Sequence, residues 1–451
     1  MIDITKIKSV YLIGIGGVGM SALAQYFFAS GCKVSGFDRA HSAITEMLEN
    51  NGITVYYLED INHIPTDVDL VIYTPAIKSD NTELYFAMNY CPTVLKRSEV
   101  LELICKNQYC IAVAGTHGKT TITSMIAHIL DCSDIKANAF IGGISKNAGT
   151  NIYMHSGSRV VVVEADEYDR SFLKLNPQIV VVNAVDPDHL DVYKDCDAMI
   201  EAYQEFVNSC DSNKRIINIK YSDKFDDAFT YGFGKDANIK VVSYNYTNNL
   251  ADVVINDGVK DIQFSKLPLY GKHNIENFCA AFAVADMLKI DTETVQKAMR
   301  EYKGVVRRFD IKFESKDIVY IDDYAHHPVE IETLYNAVKE VFTNKRSCIF
   351  FQPHLYSRTQ YFMPDLARVL SKFDEVYLLD IYAAREKPMQ GVSSEVLAEM
   401  IDNQYCEVIQ KKDVLQKVKE SKANLFLTVG AGDIDRLVVD IQKELSKKYN
   451  E

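Results

Sequence analysis

Two glycine-rich turns, each reached through an apolar strand and left through a helix, constrain this chain more than any other feature. The first follows KSVYLI and places Gly14, Gly16, Gly17 and Gly19 ahead of a run, GVGMSALAQYFFASG, with apolar residues at helical spacing. The second follows YCIAVA and reads Gly115, Thr116, His117, Gly118, Lys119, Thr120, Thr121 before the helical ITSMIAHIL. A strand that ends in glycines and feeds a helix aims backbone N–H groups and the positive end of the helix dipole at one point, where anionic oxygens bind. Such units build α/β sheets with parallel strands.

At 451 residues the chain has room for about three domains of roughly 150 residues. Three successive alternations supply them. Residues 1–104 read as a Rossmann-like domain, with strands in CKVSGFD, DLVIYTPAI and TVLKR. Residues 105–304 read as a central P-loop ATPase-like domain whose strands RVVVVEAD and QIVVVNAV are apolar enough for a buried parallel sheet. Within it, the polar stretch 211–262 reads as a β-rich excursion. Residues 305–451 read as a C-terminal Rossmann-like α/β domain with strands DIVYIDDY, SCIFFQP, EVYLLDIY and NLFLTVG.

Composition excludes several classes. A net charge of -13 repels a phosphate backbone, which argues against nucleic-acid binding. No apolar run approaches the length of about 20 residues that spans a membrane, and the N-terminus enters a glycine-punctuated strand where a secretory signal would have its apolar stretch. A cytoplasmic protein is expected. Ten cysteines run from Cys32 to Cys406 without a CxxC pair or a tight Cys/His cluster, so ten buried thiols are expected, with neither disulfides nor zinc.

The second turn carries the chemistry. Lys119 is placed to neutralise β/γ-phosphates and Thr120 to offer a hydroxyl to Mg²⁺, although the loop is shorter than GxxxxGK[ST], since Val113 stands five before Gly118. Glu164 closes the strand RVVVV, which puts its carboxylate at the C-terminal sheet edge beside that loop, a metal-ligand position. His189, in DPDHLD after the next strand, reaches the same edge. The bland alternative for Glu164, Asp166, Glu167 and Asp169 is solvated surface charge. In the first turn, Gly14, Gly16 and Gly19 with Asp38 match the dinucleotide fingerprint and its ribose-binding acid, literally a NAD site. Any pyrophosphate suits the same loop, however. With the lysine and acids in the second turn only, ATP belongs to the middle domain and a substrate to the first.

Eight ordered motifs then resemble the Mur ligases of bacterial cell-wall synthesis: GIGGVGMSALA at 14–24, GTHGKTT at 115–121, EADEYDRSF at 164–172, DPDHLD at 186–191, GKHNIENFCAA at 271–281, GVVRRFD at 304–310, DDYAHHP at 322–328 and FQPHLYSRT at 351–359. The resemblance implies an ATP- and Mg²⁺-dependent ligase with UDP-N-acetylmuramate and L-alanine as small-molecule partners, in a monomer or weak homodimer. It implies UDP-sugar binding by Gly14, Gly16, Gly17, Gly19 and Asp38, with Thr74 and Arg97 as further candidates. For ATP it implies residues 115–121, Asn274, Asn277, Arg308, Asp322 and Tyr324, and for Mg²⁺ Thr120, Glu164 and His189. Lys119, His189, Arg308, His326, His354 and Arg358 would serve catalysis. The family's recycling ligase, which attaches a preformed tripeptide, is the near alternative, and a NAD-dependent dehydrogenase the distant one. Three departures stand out. DCDAMIEAYQEFVNSC, after His189, has no lysine to carbamylate for a second metal; Leu355 replaces a common arginine; and Arg385 replaces a common glycine.

Overall fold

The computed structural model describes residues 2–186, 193, 195–384 and 386–449. Its strands form three sheets, the α/β class expected. The first sheet has five strands, in the order Thr54–Tyr56, Lys33–Phe37, Ser9–Ile13, Leu70–Tyr73, Val94–Lys96. All its pairs are parallel. The order reverses between Ser9–Ile13 and Leu70–Tyr73, and such a switch point opens a crevice beyond the strand ends, where the glycine turn lies.

The second sheet has ten strands and is centred on Tyr109–Ala114, which pairs in parallel with Val160–Glu164 on one side and Ile179–Val182 on the other. Residues 110–114, 161–163 and 179–182 are fully buried, which explains why these strands read as unbroken apolar runs. Beyond Ile179–Val182 the sheet continues through Arg215–Asn218, Phe229–Gly232, Ile239–Thr247, Leu250–Asn256 and Asp261–Leu267, so the polar stretch is β-rich. Asn248 and Asn249, both at positive φ, make the two-residue turn between Ile239–Thr247 and Leu250–Asn256, a conformation that asparagine tolerates.

The third sheet runs Asp310–Glu314, Val319–Asp323, Leu425–Val429, Ser347–Phe351, Glu375–Leu378, Cys406–Val408. Only its first pair is antiparallel. The edge strands Asp310–Glu314 and Cys406–Val408 add to the four expected from sequence.

Compact units follow contact rather than sheet. One comprises residues 1–244, 253–265 and 276–303; the other comprises 245–252, 266–275 and 304–451. The first two expected domains therefore form one unit. Asn151 of the central sheet helps to bind them, since its Nδ2 donates 2.5 Å to the Val18 carbonyl and 2.9 Å to Ser21 Oγ. Among the described residues no helix is long and apolar enough to cross a membrane, and all ten cysteines are free thiols. Not all are buried, as was expected: Cys132 is exposed, and Cys91, Cys196 and Cys406 are half-buried.

Candidate active site

In the first unit, the chain leaves Tyr109–Ala114 at Gly115 (φ 133°) and enters the helix Lys119–Cys132 at Gly118 (φ 82°). A Cβ at Gly118 would lie 2.3 Å from Asn183 Nδ2, and one at Gly115 2.8 Å from the Ala184 nitrogen, so positive φ and crowding both demand glycine. Thr116 N donates 2.9 Å to the Ala184 carbonyl and its hydroxyl accepts from Asp186 N at 3.2 Å, tying the turn to the neighbouring strand end. His117 Nε2 lies 4.0 Å from Asp186, and the His117 carbonyl accepts from Asn183 Nδ2 at 3.1 Å. Thr121 is half-buried on the first helical turn.

Lys119 folds back over this turn. Its Nζ donates 2.6 Å to the Gly115 carbonyl and 2.8 Å to each carboxylate oxygen of Glu167, which is 1% exposed. Burial alone would lower the lysine pKa, but Glu167 and then Asp166 outweigh it and hold it above its ordinary value. Glu167 is thus no solvated surface acid. Glu164 accepts from Thr120 Oγ1 at 3.2 Å and from the Gly142 backbone N–H, and a Cβ at Gly142 would lie 2.5 Å from its Oε2. A carboxylate and a hydroxyl at the mouth of a phosphate turn are hard oxygen donors of the kind that Mg²⁺ selects. His189 lies outside the described residues.

Asn277 is 4% exposed, and its Oδ1 accepts from Asn183 Nδ2 at 3.3 Å beside Gly118. Asn183 Oδ1 in turn accepts from Tyr231 at 2.6 Å. Asn274 belongs to the second unit, where its Nδ2 donates 2.9 Å to the Tyr270 carbonyl.

Around the first glycine turn the expected residues converge. A Cβ on Gly14 would meet Thr74 Cγ2 at 2.8 Å, one on Gly16 Asp38 Oδ2 at 2.8 Å, and one on Gly19 Arg97 Cδ at 2.9 Å. Gly17 caps the helix Val18–Ala29. Asp38, the expected ribose-binding acid, stands at this turn. Its Oδ2 accepts from Gly16 N at 2.9 Å and its Oδ1 from Ala40 N at 3.2 Å, so its carboxylate shapes the turn itself. Arg97 Nη2 lies 3.3 Å from Asp166, linking this turn to the acid segment of the phosphate site.

The second unit holds its own basic and imidazole cluster. Arg307 and Phe309 both stand at positive φ (62° and 44°), a conformation that costs about 1–3 kcal/mol for a residue with a side chain. Phe309 N donates 2.6 Å to Asp323, and Tyr324 N donates 2.8 Å to the Arg307 carbonyl, which offsets that strain. The two arginines diverge. Arg307 donates to the Gly430 carbonyl and pairs with Asp322 at 3.4 Å and Asp435 at 3.5 Å. Both guanidiniums lie near the Tyr324 ring, Arg307 at 5.1 Å and Arg308 at 5.0 Å from its centroid. Asp322, expected at ATP, is 1% exposed; burial pushes it up to about 6 against the pull of Arg307, and it also accepts from Thr428 Oγ1 at 2.8 Å. Its contacts are internal, and it is the neighbouring Asp323 that feels Arg308, its own pKa pushed up to about 6 by burial.

From Tyr324 a row of rings continues: His326 at 5.6 Å, His354 at 5.8 Å from His326, and Tyr382 stacked on His354 at 5.7 Å. Burial lowers the pKa of His326 although Glu330 opposes it. Burial, His326 and Arg358 lower His354 to about 4. Arg358 stands on the first turn of the helix Tyr356–Leu370, which Leu355 starts at φ 66°. Sequence reasoning passed over Gly142, Asn183, Arg307, Asp323 and Tyr382. Asn183, which directly follows the strand Ile179–Val182, Arg307 in GVVRRFD and Asp323 in DDYAHHP each carried a signal.

Family models match the chain in three successive stretches: "Mur ligase family, catalytic domain" over residues 9–109, "Mur ligase middle domain" over 113–285 and "Mur ligase, glutamate ligase domain" over 307–432. The chain is 41% identical to the UDP-N-acetylmuramate–L-alanine ligase of Flavobacterium psychrophilum, over 99% of this chain and 100% of that one. It is 38% identical to that of Porphyromonas gingivalis, over 97% and 99%. The crystal structure of the UDP-N-acetylmuramate-alanine ligase of Thermotoga maritima superposes with a TM-score of 0.82 at 29% identity, over 98% of this chain and 99% of that one. A murein peptide ligase from Psychrobacter arcticus shares the fold with a TM-score of 0.68 at 20% identity, over 96% and 98%.

Proposed function

The chain belongs to the Mur ligase family, and from that premise we infer that it is an ATP-dependent ligase joining L-alanine to UDP-N-acetylmuramate in peptidoglycan precursor synthesis. Full-length similarity to ligases of that name supports this over the tripeptide-recycling activity. One observation carries the phosphoryl chemistry: Lys119, Thr120 and Glu164 meet at a glycine turn over a helix N-terminus. A dehydrogenase would leave that constellation without a role.

A carboxylate resists amide formation because its charge is spread over two oxygens, and phosphorylation converts it to an acyl phosphate with a good leaving group. The lactyl carboxylate of UDP-N-acetylmuramate attacks the γ-phosphate of ATP, ADP departs, and the alanine amine displaces phosphate from the acyl carbon. Residues 115–121 cradle the triphosphate, with Lys119 and Arg308 offsetting charge on the transferred group. Thr120 and Glu164, with His189, would hold Mg²⁺, which would supply positive charge to the phosphates. Asn277 serves the nucleotide beside Gly118, while Asn274, Tyr324 and Asp322 support the nucleotide region of the second unit, Asp322 by fixing Arg307. Gly14, Gly16, Gly17, Gly19, Thr74 and Arg97 receive the UDP-sugar on a turn shaped by Asp38. Arg358 holds a carboxylate, and His326, His354 or a carboxylate among residues 164–169 accepts the alanine proton.

We carry forward domain limits at 104 and 304, a cytoplasmic location and a monomer or weak homodimer. The test of the function is phosphate release from the purified protein with ATP, Mg²⁺ and UDP-N-acetylmuramate, scanned across amino acids and the preformed tripeptide. Release with L-alanine is expected. A preference for the tripeptide, or release that ignores the acceptor, defeats the assignment.

A further inference from the structure

The helix that begins at Lys119 ends in a second cluster of donors that the ligase reaction does not use. At a rise of 1.5 Å per residue its 14 residues are about 20 Å long, so this cluster lies well away from the phosphate turn. His128, Asp131 and Cys132 stand at i, i+3 and i+4 and therefore share one face. A ring nitrogen of His128, a carboxylate oxygen of Asp131 and the Cys132 Sγ all lie within 4.8 Å of one another. Sequence reading found no tight Cys/His cluster because the spacing HxxDC follows no zinc-finger pattern; the helix creates the proximity.

His128 brings a buried, unpartnered nitrogen to this group. The residue is 5% exposed, and its Nε2 lies 2.9 Å from the Ala298 carbonyl oxygen. A carbonyl only accepts, so Nε2 carries the hydrogen and Nδ1 holds the lone pair. Nδ1 is buried and has no hydrogen-bond partner. An unmet buried acceptor costs about 1–3 kcal/mol, and it calls for a ligand. An imidazole that donates one N–H to a backbone carbonyl and offers the other nitrogen is the usual arrangement of a metal-ligating histidine. Asp131 Oδ1 lies 2.9 Å from His155 Nε2, which brings a second imidazole to the edge of the group. Cys132 is exposed, which gives an ion a route in. The site also closes a helix C-terminus, where the dipole favours a cation.

We propose that His128 Nδ1, an Asp131 carboxylate oxygen and Cys132 Sγ form a divalent-metal site of the zinc class, with solvent as the fourth ligand. Mixed nitrogen, oxygen and thiolate donors suit Zn²⁺ and disfavour Mg²⁺. On binding, the Cys132 thiol loses its proton to solvent and the His128 ring keeps its Nε2 hydrogen. The ion pins the end of the phosphate-turn helix to the segments bearing Ala298 and His155, and so stabilises the first unit without entering the reaction.

Co²⁺ titration of the full-length protein tests this, with excess Mg²⁺ present to occupy oxygen-only sites. A thiolate-to-cobalt charge-transfer band saturating at one equivalent, and bleached by one equivalent of Zn²⁺, is the expected result. Cys132→Ala, a change at an exposed side chain, should abolish the band and the Zn²⁺-dependent rise in Tm while leaving Mg²⁺-dependent ATP turnover intact. Asp131→Asn should weaken Co²⁺ by about 10-fold or more. No band at one equivalent, an equal band in Cys132→Ala, or unchanged affinity in Asp131→Asn would each overturn the site.

Discussion

Both carboxylate oxygens of Glu167 lie 2.8 Å from Lys119 Nζ, so the cation at the glycine turn is held by a buried acid of the same unit. Nucleotide phosphate must compete with that acid for the lysine. Lys119→Ala is therefore expected to lower ATP turnover by about 10³-fold or more, as loss of a preorganised charge does, while calorimetry still detects UDP-sugar binding. Glu167→Gln should instead lower stability by about 1–3 kcal/mol, because a buried ammonium keeps only a neutral partner. Denaturant unfolding measures it, and an unchanged midpoint would remove Glu167 from the pair's energetics.

Arg307 and Arg308 are adjacent and should fail differently. Arg307→Ala leaves Asp322 buried beside an empty pairing position, a loss of about 3–5 kcal/mol, visible as a lower Tm. Arg308→Ala should fold normally and lose turnover. Equal effects on Tm would refute the division of labour.

Gly142 touches Glu164 so closely that a methyl group there needs the carboxylate to move. Gly142→Ala should raise the Mg²⁺ concentration for half-maximal activity by roughly tenfold, the scale for disturbing a group that orients a metal ligand. An unchanged Mg²⁺ titration would separate Glu164 from the metal.

Asp38 accepts from Gly16 N, so Asp38→Asn should disturb the turn and raise the KM for UDP-N-acetylmuramate with little change in kcat. The KM for ATP should not move. A matching rise in both would mean that the turn does not serve the sugar nucleotide alone.

His354 is held neutral down to about 4 against an ordinary value of 6.5. Between those values the unfolded chain binds a proton that the folded chain refuses, so this contribution to stability is complete above 6.5 and is lost as pH falls toward 4. His354→Gln lacks that proton. Denaturant titrations above 6.5 and near 4 should show wild type losing more stability than the variant, and parallel losses would contradict the burial of His354.

The sequence by itself determined the α/β class, the two glycine turns and nearly all of the loop residues that meet at them. Those features are local: a positive φ needs glycine, a buried parallel strand needs an unbroken apolar run, and both are written in adjacent residues. What a side chain does once placed was decided only by the tertiary structure. Asp38 accepts from its own glycine turn and Asp322 pairs with Arg307, while Glu167, which reads as surface charge, holds Lys119. Each of those pairings joins residues 15 to 48 positions apart. Whether a charge meets water, substrate or a buried partner depends on which strands and turns pack beside it, and no stretch of adjacent residues contains that information.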